Sequence, residues 1–291
     1  MSEPIPEAGR RAGIADLANA FGILEAFIGF LAGELLAAVG AAVVSAAEGH
    51  SSTFGSTLGS LLGLWAGLVG AAIAAAVMAQ RGERREGLLK VLSRTYGFRL
   101  RPIDVPIGVA VGLVSAYALV PLLEWPLKPF VSHLNQRLSA PAHQLTAHVN
   151  GPGYVILGLF VCVGSPVVEE LFFRGLLLRG VLGWLLGRSS PGRLIAPSRS
   201  GSSLPPARPG PSWVTGSSAP KMSARAAAAV AVVVCGIAFG LAHFEAVELL
   251  ALSGFGAVLG VLALRSGRLG PGIIAHGTFN AVTIISLAHS H

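Results

Sequence analysis

The sequence predicts an all-α protein, a polytopic bundle of about seven or eight transmembrane helices. Three observations carry that expectation. Only 12% of the 291 residues are charged, whereas soluble domains carry about 25%. Hydrophobic residues make up 53% of the chain, and the mean hydropathy is +0.68. These residues fall into runs long enough to cross a bilayer core, which takes about 20 residues of helix. A chain with so few charges cannot cover a soluble globule with polar groups. Soluble enzymes, secreted disulfide scaffolds and disordered tails are excluded.

Residues 1–16 contain Glu3, Glu7, Arg10, Arg11 and Asp16 and no apolar core of a secretory signal. They are expected to form a cytoplasmic N-terminal segment ahead of a retained first span. The predicted spans are roughly 17–47, 57–80, 103–123, 152–187, 226–243, 246–264 and 271–288. The first and fourth exceed one crossing at about 1.5 Å per residue, so each must tilt, kink or extend beyond the lipid. Pro166 is the expected kink of the fourth. Residues 17–150 read as N-terminal membrane helices with their connections, and 151–288 as a separate functional core. Cys162 and Cys235 lie in apolar runs and read as small buried hydrophobes. The stretch 124–150, with His133, His143 and His148, reads as a wet external loop, and His50, His289 and His291 as exposed residues.

The cations set the orientation. Residues 81–101 hold Arg81, Arg84, Arg85, Lys90, Arg94, Arg99 and Arg101, and residues 188–225 hold Arg188, Arg193, Arg199, Arg208, Lys221 and Arg225. With seven spans these connections fall on one side, together with Arg10, Arg11, Arg179, Arg265 and Arg268; the other side has only Lys128 and Arg137. The asymmetry predicts a cytoplasmic N-terminus and an outside C-terminus. It also accounts for the net charge of +7 and the pI near 10.2 without a nucleic-acid partner. The stretch 188–222 has seven prolines, many serines and no acidic residue, and reads as a disordered cytoplasmic loop.

Ionisable groups within apolar spans are functional hypotheses by default. Three clusters qualify. In the fourth span, Glu169 and Glu170 are adjacent, so their carboxylates face different directions. Glu170 and Arg174 are an i, i+4 pair, which leaves Glu169 without a local partner and free for chemistry. In the next span Phe239 and His243 share a face, as do His276 and Asn280 in the last. One carboxylate, two imidazoles and a carboxamide can activate water and stabilise an oxyanion, with or without a metal. The alternative is polar glue between helices.

Read in order, Glu169-Glu170-x-x-x-Arg174, Phe239-x-x-x-His243 and His276-x-x-x-Asn280 resemble the motifs of the CAAX protease and bacteriocin-processing (CPBP) family, which includes the type II CAAX prenyl endopeptidases. Leu264-Arg265-Ser266-Gly267, followed by Pro271, is similar to the family's closing helices. The likeness covers about residues 150–288. It implies an intramembrane endopeptidase with a conical cavity open to one side. By motif position, Glu169 would activate water, His243 would assist it, and His276 and Asn280 would form the oxyanion site. If a metal is used, zinc or another divalent ion, Glu169, His243 and His276 would be its ligands. Glu170, Arg174 and Phe239 would give structural and electrostatic support. Substrates would be peptides or proteins, C-terminally prenylated or bacteriocin-like, met in the lipid bilayer; a bacterial plasma membrane is the expected location. The long 188–222 insertion departs from the compact family pattern.

A rival reading is a non-catalytic scaffold, immunity factor or transporter-like protein. Glu25 and Glu34, both in the first span, could mark a polar pathway. A transporter should show repeat symmetry or paired broken helices, and the sequence shows neither.

Overall fold

A computed structural model of the chain describes residues 17–18, 21–48, 53–79, 87–146, 149, 151–187 and 222–288. Residues 1–16, His50, His148, His289, His291 and the insertion at 188–221 lie outside the described residues. The described residues form helices and turns with no strand: α1 (Ile23–Glu48), α2 (Thr53–Ala79), α3 (Leu88–Tyr96), α4 (Asp104–Leu127), α5 (Leu134–Thr146), α6 (Pro152–Leu185), α7 (Ala224–Leu241), α8 (Leu249–Ser266) and α9 (Gly270–Ala288). All but α3 and α5 are long and apolar enough to cross a membrane, which makes seven candidate spans among the described residues. The chain is an all-α polytopic bundle.

α1 begins at Ile23, later than the predicted residue 17. Gly22 has φ 153° and lies against the backbone of Gly180 in α6, where no side chain would fit. Glu25 accepts a hydrogen bond at 2.8 Å from the Gly22 N–H and so closes the open start of α1. α1 and α2 meet through Gly33, Gly40, Gly59, Gly63 and Gly67, whose missing side chains let one backbone rest on the other. The outer side of α1, with Leu24, Phe27, Leu31 and Leu35, is exposed and apolar, as a lipid-facing surface should be.

Two connections read as loops contain helices. α3 lies in the cationic stretch and buries Val91, Leu92 and Tyr96; the Tyr96 hydroxyl donates to the Ala72 carbonyl of α2 at 2.9 Å. α5 lies in the predicted external loop and contains Pro141. Arg179, counted above among cytoplasmic cations, is buried in α6 and donates to the carbonyls of Thr95, Tyr96 and Gly267. Its guanidinium satisfies carbonyls at the ends of α3 and α8, which have no partner within their own helices. Arg268 makes a forked pair with the buried Asp104 at the start of α4, and the Leu269 N–H donates to the Gly97 carbonyl at 3.0 Å. These contacts lock together the ends of α3, α4, α6, α8 and α9.

α6 spans 34 residues, about 50 Å of helix and well beyond one bilayer core. Two wider π-helical segments, Phe160–Gly164 and Glu170–Leu177, break its regular winding. Pro166 follows the first. Its missing N–H leaves Val161 without the next rung of that five-residue register.

Candidate active site

α6, α7, α8 and α9 meet at a buried polar cluster. Glu170 and Arg174 are both fully buried one turn apart on α6, and Arg174 Nη1 donates to Glu170 Oε1 at 2.8 Å. Arg174 Nη2 also donates to the Gly256 carbonyl of α8 at 3.0 Å. Its guanidinium carbon lies 4.4 Å from the centre of the Phe239 ring, a cation–π contact. Full burial of two charges is tolerable only with such compensation.

His276 of α9 lies between two carboxylates. Its Nδ1 is 3.3 Å from Glu170 Oε1, and its Nε2 is 3.9 Å from Glu169 Oε2. The adjacent glutamates thus reach opposite nitrogens of one ring, in accord with their different directions on α6. Glu169 Oε2 is buried and accepts no hydrogen bond from the protein. The rings of Phe239 and Phe255 meet the His276 ring edge-on, with centroids 5.5 and 5.7 Å away. Gly272, one turn earlier on α9, leaves room for Glu170, since a β-carbon there would come within 2.7 Å of Oε2.

His243 is placed differently from the expectation of a shared helical face. α7 ends at Leu241, and His243 lies in the turn that follows, exposed. Its ring packs on Phe239 with centroids 4.7 Å apart, and Nδ1 is 2.8 Å from the Phe239 carbonyl. Against a carbonyl, Nδ1 must carry the proton, so Nε2 is left as a bare acceptor. The Phe-x-x-x-His spacing therefore caps α7 and fixes the tautomer together.

Asn280 sits one turn beyond His276. Its Nδ2 donates at 2.8 Å to the carbonyl of Val161, the acceptor that Pro166 leaves unserved. Asn280 and His243 line a cavity of about 640 Å³, with Glu124 and Val120 of α4, Glu248 before α8 and Ser286 of α9. Glu169 and His276 are not part of its lining. The structure thus joins Glu169, Glu170, Arg174, Phe239 and His276 in one cluster and places His243 and Asn280 at the adjoining cavity.

Among the described residues, no three His, Cys, Asp or Glu side chains are grouped so as to hold a metal ion. The expected ligand set does not assemble, because His243 leaves α7 and is held against Phe239 while His276 faces the two glutamates. Glu124, Glu245 and Glu248 near the cavity were not singled out in the sequence. Only Glu245 and Glu248 carried a signal, their closeness to His243 in the sequence; Glu124 reaches them through the tertiary pairing of α4 with α8.

Residues 151–282 match the family model described as type II CAAX prenyl endopeptidase Rce1-like. No curated protein matches the chain, and no solved structure does. The matched stretch begins next to α6 and ends in α9, so it contains Glu169, Glu170, Arg174, Phe239, His243, His276 and Asn280. The match covers the stretch whose ordered motifs resemble the CAAX protease and bacteriocin-processing family, and agrees with that resemblance.

Proposed function

We propose that the protein is an intramembrane endopeptidase of the CAAX-protease type, in which Glu169 activates the attacking water. One observation carries the reading: a buried carboxylate oxygen of Glu169, without a protein donor, faces Nε2 of a histidine whose other nitrogen rests on Glu170. Glu170 Oε2 and Arg174 Nε also lack a protein partner but belong to a wholly buried pair, whereas the Glu169 side chain is partly exposed, so its oxygen is the one that water or substrate can reach. The family match over residues 151–282 supports the same reaction class.

In this account Glu169 accepts a proton from water, and the hydroxide oxygen bonds to the scissile carbonyl carbon. The carbon–nitrogen bond then breaks, and the proton held on Glu169 passes to the departing amine. His276 donates to the developing oxyanion from Nε2, while its Nδ1 rests against Glu170 Oε1, which orients the ring. Asn280 has a second amide hydrogen beyond the one given to Val161, and this adds a donor on the cavity side. His243, with Nε2 bare, accepts a hydrogen bond from the incoming water or peptide. Arg174 neutralises Glu170 and keeps it an acceptor.

Cleavage of a peptide library by the full chain in liposomes tests the reading. Wild type should release fragments and Glu169→Ala should not. If the two release the same fragments at equal rates, Glu169 is not the base; if wild type releases none, the scaffold or immunity-factor reading takes its place.

A further inference from the structure

The two ends of the bundle differ. At one end the ends of α3, α4, α6, α8 and α9 are locked by Arg179, by the Arg268–Asp104 pair and by the bond from Leu269 to Gly97. Glu170 and Arg174 above this seal are wholly buried. At the other end lies the cavity. It is walled by the last turns of α4 and α9, by α5, by His243 after α7 and by Glu248 before α8. Charge is divided the same way. Among the described residues Arg94, Arg99, Arg101, Arg225, Arg265 and Arg268 all belong to the sealed end. The cavity end has Lys128 and Arg137, and Glu124, Glu245 and Glu248 stand there as well. Cations concentrate in cytoplasmic connections.

We infer that the cavity opens on the outer, non-cytoplasmic side of the membrane and admits peptide segments presented there, such as exposed parts of secreted or membrane-anchored polypeptides. A prenylated C-terminus is held at the cytoplasmic surface and would meet the sealed end. The cavity walls suit a partly apolar segment, since Val120, Leu252, Phe279 and Ile284 share the lining with polar groups. That the admitted segment is cut rests on the proteolysis proposed above; the side of entry rests on the placement of charges, seal and cavity.

The test uses the full chain with Cys162 and Cys235 changed to alanine and one new cysteine, Ser286→Cys at the cavity or Arg265→Cys at the sealed end. In intact cells, a membrane-impermeant maleimide should label Ser286→Cys fully. Arg265→Cys should react only after the membrane is opened. Labelling of Arg265→Cys from outside, with Ser286→Cys protected until lysis, would overturn the inference. A second arm uses liposomes whose protein orientation is assigned by the same labels. A quenched peptide added outside should be cut by the molecules that expose Ser286→Cys outward, with loss of signal in Glu169→Gln. Cutting only by molecules of the opposite orientation contradicts entry from the cavity side. No cutting in either orientation contradicts the protease reading, and the labelling then decides the side of entry by itself.

Discussion

Glu170 is a residue with three demands on it: it holds Arg174, meets His276 Nδ1 and is packed against Gly272. Removing Arg174 would leave that carboxylate charged and buried with only an imidazole near. Breaking a buried pair in this way costs about 3–5 kcal/mol. Arg174→Ala should therefore lower the melting temperature and yield in detergent along with activity. A variant that is fully stable yet inactive would move Arg174 from support to chemistry. The Glu170–Arg174 pair could be read from i, i+4 spacing alone. The division of Glu169 and Glu170 between two nitrogens of His276 could not, because it depends on how α9 crosses α6. The same holds for Asn280, whose acceptor exists only because Pro166 breaks a π-helical register. Asn280→Ala should strand the Val161 carbonyl, at a cost of about 1–3 kcal/mol, and slow turnover as well. Unchanged stability, measured by thermal unfolding, would show that the bond to Val161 carries little weight.

The elements that the hydropathy pattern missed are the two that do not cross the membrane. α3 and α5 are short, carry mixed polar and apolar residues, and bury only part of their surface. Their position is set by tertiary contacts, Tyr96 to Ala72 for α3, which no local periodicity announces. The long spans were readable because lipid demands apolar length, yet their ends shifted by a few residues where Gly22 and the His243 turn intervene. Helix contact in lipid depends on close backbone approach at small residues. Gly63 rests on the Leu36 backbone of α1, so Gly63→Leu should force α1 and α2 apart. The expected outcome is a lower melting temperature and protease sensitivity between them; wild-type stability would contradict the close approach. At the start of α8, burial, with Glu245 and Glu124 close by, pushes the Glu248 carboxyl up from 4.5 to about 7. The folded protein then holds this proton more tightly than the unfolded chain. Its stabilising contribution is full below pH 4.5 and is lost as pH rises to about 7. Glu248→Gln should flatten that part of the stability–pH curve, as read by melting temperature at a series of pH values. An unaltered slope would mean that Glu248 is not the group responsible.

Across the whole molecule, polarity is sorted into three zones: a cation-rich sealed end, a buried Glu–His–Glu cluster with its arginine, and an open cavity bordered by carboxylates. The first zone was apparent from counting cations. The second was apparent as three separate motifs but not as one cluster. The third was not apparent at all, since it arises from α4, α5, α8 and α9 coming together. At the centre of these zones stands Glu169, proposed above as the base that activates water. That role is tested most directly by the cleavage rate of Glu169→Gln, a nearly isosteric change, measured beside its melting temperature. Loss of a general base typically costs about 10²–10⁴-fold in rate. The account predicts a fall of that size with the melting temperature close to that of wild type. Cleavage at the wild-type rate would contradict it.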